Sequence, residues 1–85
     1  METLRHIIKA EHGIHARPAG KLASKAKQYE STITVSYGGK ETAASKVLGI
    51  MSLGAKKGDA LIFTIQGRDE AAAAAGLKEF CDREL

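Results

Sequence analysis

The sequence predicts an α+β fold: a two-layer, open-faced β-sandwich in the order βαββαβα, with a four-stranded antiparallel sheet and three helices on one face. Three observations lead there. Ala19, Leu22, Ala23, Ala26 and Tyr29 recur at helical spacing, and so do Ala73, Ala74, Leu77, Phe80 and Cys81, so each segment has one apolar stripe to bury. Thr32 to Tyr37 and Ala60 to Gln66 alternate apolar and polar residues, the period of a half-buried strand. Gly38-Gly39 then follows the first of these runs as a tight hairpin turn, since glycine tolerates positive φ. Striped helices and one-faced strands satisfy each other in two layers, leaving the outer sheet face (Thr32, Thr34, Ser36, Ile62, Thr64, Gln66) to water.

Each element has its own justification. Thr3 to Lys9 reads as a strand with Leu4, His6 and Ile8 on one face, blurred by Ile7. Glu11 to His15 is a loop. Pro18 suits the first turn of the helix that follows, where its missing N–H costs nothing. After the Thr32–Tyr37 strand, Lys40 to Ala43 is the short return strand. Lys46 to Leu53 carries Val47, Leu48, Ile50, Met51 and Leu53, a helix too brief to stand alone. Lys56 to Asp59 is a turn, and Ala60 to Gln66 puts Leu61, Phe63 and Ile65 on one face. Asp69 is placed to cap the last helix, within which Gly76 costs about 1 kcal/mol relative to alanine.

With 85 residues, the chain reads as one domain, 1–85, with a modest core. There is no room for a deep substrate cavity, which favours a binding or carrier module over an elaborate enzyme. Cys81 is the one cysteine, so no internal disulfide is expected. Met1 to Ala10 has no long apolar run, which predicts neither a signal peptide nor membrane insertion and, with the lone thiol, a cytoplasmic protein. The net charge of +3 is uneven. Residues 1–58 hold 10 Lys/Arg and 4 Asp/Glu, while 59–85 hold 3 and 6. The first part would attract an anionic partner.

The chemistry concentrates in Gly13-Ile14-His15-Ala16-Arg17-Pro18-Ala19-Gly20. His15 stands immediately before a helix N-terminus, where unpaired N–H groups and a partial positive charge bind anions. A capping Ser or Asp would occupy one of those donors; Ala16 has no oxygen to do so. The amides of Ala16 and Arg17 are therefore expected to be free for an external phosphate. Arg17 adds a planar fork of donors that matches phosphate. The positive helix end disfavours an imidazolium at His15, which favours the lone pair a nucleophile needs. Positioning and electrostatics are what phosphoryl transfer chiefly requires. The sequence has no Walker-type loop or magnesium-binding carboxylate cluster, so the phosphoryl group has to arrive from a partner.

Gly13-Ile14-His15-Ala16-Arg17-Pro18-Ala19 resembles the signature of the HPr family, the histidine phosphocarriers of the sugar phosphotransferase system. Lys46 to Gly54 resembles that family's short second helix, and the last strand, Gly67 and the acidic start of the last helix match in order. The resemblance implies a stoichiometric carrier with no cofactor. His15 would accept phosphate on its δ nitrogen from phosphorylated enzyme I, itself charged by phosphoenolpyruvate. It would donate to a histidine or cysteine of a sugar-specific enzyme II, the A-type component. Arg17 would assist transfer, and Pro18 would fix the helix start. Val47, Leu48 and Met51 match the family's apolar docking patch, with Gly20 and Lys27 as further docking positions. Lys21, Lys27 and Lys46 could steer acidic partners. Ile50 and Leu53 read more readily as core. The family's regulatory serine is replaced here by Lys46, with Ser45 one step earlier, so Ser45 is expected to be a poor site for the regulatory kinase.

Three other readings have less support. A paralogue in nitrogen control or dihydroxyacetone phosphorylation would keep the same histidine. A metal module could draw on His12 and His15 with His6 or Cys81, but zinc wants four well-placed ligands. An RNA-binding sheet would need exposed aromatics, and Tyr37 is the one candidate, because Phe63, Phe80 and Tyr29 fall on buried stripes. The expectation is no metal and no nucleic acid.

Overall fold

A computed structural model describes all 85 residues. The elements are β1 (Glu2–Ile7), α1 (Ala16–Ala26), β2 (Thr32–Tyr37), β3 (Lys40–Ala43), α2 (Val47–Ser52), β4 (Ala60–Gln66) and α3 (Glu70–Glu84). The order is the predicted βαββαβα. The strands form one antiparallel sheet in the order β1-β4-β2-β3. β4 has neighbours on both sides and carries three fully buried apolar residues, Leu61, Phe63 and Ile65. Register aligns Leu4, Phe63 and Val35 in one row on the helix side, and Thr3, Thr64 and Thr34 in a row on the open side. That division is what period-2 patterning demands of a sheet covered on one face.

The helices pack on the apolar face, with α1 touching both α2 and α3. Ala19, Leu22, Ala23 and Ala26 are the buried side of α1, and Ala73, Leu77, Phe80 and Cys81 that of α3. Tyr29 is half-buried against the same core. A Cβ at Gly76 would collide with the Tyr29 hydroxyl, so the glycine inside α3 makes room for a neighbour at the cost of helix propensity. Gly38 and Gly39 have φ of 57° and 84°, as a two-residue hairpin turn requires.

Three details depart from the expectation. β1 ends at Ile7 rather than Lys9, because the chain there finds other partners. Ile8 still pairs with the turn before β4, through its N–H to the Asp59 carbonyl (2.9 Å) and its carbonyl to the Gly58 N–H (2.8 Å). The amides of Lys9 and Ala10 instead donate to the Leu85 carbonyl, at 2.6 and 3.0 Å. Asp69 does hold the N-cap position of α3, but its side chain does not cap the helix. Its carboxylate accepts from the backbone N–H groups of Glu30 and Ser31, each at 2.9 Å, and from the Ser31 hydroxyl. These bonds hold the Asp69 carboxyl below its usual range, the Ser31 hydroxyl contributing most and the Glu30 amide next. Tyr37, the aromatic an RNA-binding sheet would have needed, lies half-buried against the core rather than on the open face.

Candidate functional site

The loop between β1 and α1 is fastened at two points before it delivers His15. The Gly13 N–H closes a turn onto the Ala10 carbonyl (3.0 Å), and the Ile14 N–H donates to the Ala55 carbonyl (3.2 Å) in the connection after α2. Gly13 has φ of 66°, in the left-handed region that favours glycine. A Cβ there would stand 2.7 Å from the Ala55 oxygen and 2.8 Å from the Lys56 Cα. The Ile14 side chain is buried. His15 follows with its ring exposed to solvent.

His15 is the N-cap residue of α1, with φ −114° and ψ −175°, and it makes no side-chain cap hydrogen bond. Its carbonyl accepts the Ala19 N–H at 3.0 Å. Pro18 has no N–H, so Ala16 and Arg17 supply the only free amides of the first turn, and neither has a partner in the protein. Both residues are exposed. The α1 N-terminus carries no acidic residue in its first turn. An exposed imidazole thus borders two unpaired N–H donors at a positive helix end, a ready-made anion site.

A groove lined by Ala10, His15, Arg17, Pro18, Lys21 and Glu84 opens beside the ring. Lys21 is taken up by Glu84 at 3.1 Å, whereas the Arg17 guanidinium has no ion pair. The Lys21 ammonium, hydrogen-bonded to Glu84, holds that carboxyl below its usual range. Glu84 is a groove residue that no local motif in the sequence marks. Its spacing from Leu77 and Cys81 put it on the edge of the buried stripe, which is the signal that could have found it.

The other anticipated residues are placed unevenly. Leu48 is 78% exposed and Met51 37% exposed, both on α2, while Val47 is half-buried against the core. Ile50 and Leu53 are core. Because α2 packs on α1 and its trailing loop receives the Ile14 amide, this apolar pair is rigidly tied to the histidine loop. Gly20 is half-buried, with open space where a Cβ would be. Lys27 is not brought to His15: it is the C-cap of α1, about 18 Å of helical rise away. It shares a separate groove with Tyr29, Ser31 and Ser45. Ser45 is half-buried and lies one residue before Lys46, the N-cap of α2, which has no side-chain cap.

His6 and Cys81 do not join His12 and His15. The His6 ring is buried, with Nδ1 3.7 Å from an Asp82 oxygen of α3 and Nε2 unpartnered. Cys81 is also buried, and desolvation pushes its thiol up to about 12. No helix is long and apolar enough to cross a membrane.

Comparison with known proteins bears on the family and the fold. The family model described as the PTS HPr component phosphorylation site matches residues 3–83. The fold is similar to that of HPr-C-His from Thermoanaerobacter tengcongensis, with 32% identity, a TM-score of 0.92, and coverage of 99% of this chain and 94% of that one. It is similar to the phosphocarrier protein HPr of Bacillus anthracis str. Ames at 26% identity and TM-score 0.84, covering 99% and 96%. It is also similar to Crh of Bacillus subtilis at 27% identity and TM-score 0.77, covering 100% and 98%. The chain belongs to the HPr family of phosphotransferase-system phosphocarriers. Its function is to relay a phosphoryl group as a phosphohistidine, as a stoichiometric carrier rather than an enzyme, among protein partners of that system.

Proposed function

We propose that His15 is the phosphoryl acceptor, charged by phosphorylated enzyme I and discharged to A-type enzyme II components of the sugar phosphotransferase system. The observation that carries this is the pair of unpartnered amides, Ala16 and Arg17, directly behind an exposed histidine at a helix N-terminus. In the forward step the δ nitrogen lone pair of His15 attacks the phosphorus carried by the donor. The new N–P bond forms as the bond between phosphorus and the donor breaks, and the donor keeps that electron pair. The Ala16 and Arg17 amides and the Arg17 guanidinium meet the phosphoryl oxygens, where charge is spread in the transition state. Pro18 serves by leaving the helix end with no third donor to satisfy and with φ preset for the first turn. Leu48 and Met51, with Val47 and Gly20, form the apolar surface on which a partner seats its own active site. Lys27 acts at a distance, through charge alone.

Incubation with enzyme I and phosphoenolpyruvate tests the proposal. The protein should gain one acid-labile phosphate, and His15→Ala should gain none. The same variant should keep its stability to within about 0.5 kcal/mol, because the ring is an exposed loop side chain with few contacts to lose. Labelling of His15→Ala at wild-type level would overturn the assignment, and a large drop in its Tm would make the ring structural.

A further inference from the structure

His12 stands in the loop that presents His15, and nothing in the relay as described uses it. Its ring centroid lies 6.3 Å from that of His15, and the two planes meet at 72°, so one ring turns its edge toward the other's face. Both side chains are exposed. The segment between them is held, not loose. Gly13 is fixed by its bond to Ala10 and by its close approach to Ala55, and Ile14 by its amide and its buried side chain. The spacing of the two rings is therefore a property of the fold. A phosphoryl group carried on a ring nitrogen of His15 projects oxygens into the space around that ring. At this spacing a nitrogen of His12 comes within reach of a charge-assisted hydrogen bond to one of them.

We propose that His12 is a second phosphoryl-binding residue: in its protonated form it donates an N–H to the phosphoryl group on His15, so the carrier holds its phosphate more tightly as pH falls. This rests on His15 being the acceptor. The charged groups around the pair are already spoken for or share its sign. Glu11 is engaged by Lys57 at 3.1 Å, and Glu84, across the groove, by Lys21 at 3.1 Å. Lys56, in the turn that packs on Gly13, and Arg17 are cations. A protonated His12 consequently has no carboxylate of its own to pair with, and the incoming phosphoryl dianion supplies the missing charge. Linkage makes the effect reciprocal. If the phosphoryl group raises the pH at which His12 loses its proton, protonation of His12 favours phosphorylation by the same factor. Two negative charges a few ångströms from an exposed imidazole shift its midpoint by about one pH unit, which corresponds to about tenfold in the equilibrium.

The test is NMR titration of the ring nitrogens of the full chain between pH 6 and 9. It is run once on the free protein and once on protein kept phosphorylated by enzyme I and excess phosphoenolpyruvate. The His12 midpoint should move up by about one pH unit on phosphorylation. In parallel, the equilibrium constant for phosphorylation is measured for wild type and His12→Gln across the same range. The ratio of wild type to variant should grow about tenfold as pH falls through the His12 midpoint. A His12 midpoint that ignores the phosphoryl group, or superimposable pH profiles for the two proteins, would overturn the proposal. Failure of the underlying assignment is seen separately, as the absence of a phosphohistidine signal at His15 in wild type.

Discussion

At the scale of single residues, the site depends on what is missing as much as on what is present. A capping oxygen at position 15 or 16 would satisfy an amide of the first turn; His15 and Ala16 offer none, and the donors stay open. That inference could be drawn from the sequence because it involves only neighbours. Gly13 could not be understood in the same way. Its reason is a backbone 42 residues ahead, at Ala55, whose oxygen would sit 2.7 Å from any Cβ. Gly13→Ala is therefore expected to impose two penalties together, a left-handed φ on a residue with a Cβ and displacement of the Ala55 connection. The loss should be about 2 kcal/mol or more, read as a lower denaturation midpoint. Phosphorylation by enzyme I should slow as well, because the loop that moves is the one carrying His15. A variant with wild-type midpoint and wild-type rate would show that the loop takes its shape without this contact.

At the scale of elements, helix α2 and the start of α3 show two different uses of a short segment. α2 has six residues and is held in place by its neighbours: Ile50 is buried in the core, and Gly49 lies so close to β3 that a Cβ would collide with the Thr42 side chain. This anchoring leaves Leu48 pointing outward, where a leucine does little for the fold and is open to a partner. Leu48→Asp should leave stability within about 0.5 kcal/mol of wild type. It should lower kcat/KM for phosphorylation by enzyme I about tenfold, equivalent to about 1.4 kcal/mol of binding. An unchanged kcat/KM would remove Leu48 from the docking surface. The helical stripe of α2 in the sequence could not separate Leu48 from Val47, since both precede Ile50 within one turn; their exposure depends on how α2 rests on β3. Asp69 illustrates the same difficulty. Position and residue type both point to a helix cap, yet its carboxylate crosses to Glu30 and Ser31 and fastens α3 to the entry of β2. Its pKa is lowered in the folded state, so its stabilising contribution is present above the ordinary carboxylate range and is lost as pH falls through the folded value. Thermal melts of wild type and Asp69→Asn should differ at pH 7 and begin to converge only as pH falls below about 4. A difference that persists unchanged into acid would mean that shape, not charge, holds this junction.

At the scale of the whole molecule, the architecture followed from patterning. Strands with one apolar face and helices with one apolar stripe have few ways to share a core, and the antiparallel two-layer sandwich satisfies all of them. The order β1-β4-β2-β3 was beyond local reading, because it depends on which strand can be buried by neighbours on both sides, and Leu61, Phe63 and Ile65 of β4 fill that role only once the helices are in place. The first and last elements are also joined, as the Leu85 carbonyl accepts the amides of Lys9 and Ala10 just past β1. α3 is thereby locked onto the sheet at the same edge from which the His15 loop departs, so the groove that contains Glu84 inherits the rigidity of the core. Cys81 reports on that rigidity. Its sulfur is inaccessible, and burial raises its thiol to about 12, which leaves almost no thiolate at pH 8 and no route to a reagent. Alkylation at pH 8 should therefore proceed only through opening of α3. If the lock at Leu85 makes α3 part of the cooperative unit, the labelling rate in increasing urea should rise with the same slope as global unfolding followed by circular dichroism. A labelling rate that is fast in native buffer and insensitive to urea would mean that α3 peels away alone, and the groove beside His15 would then lose Glu84 without the protein unfolding.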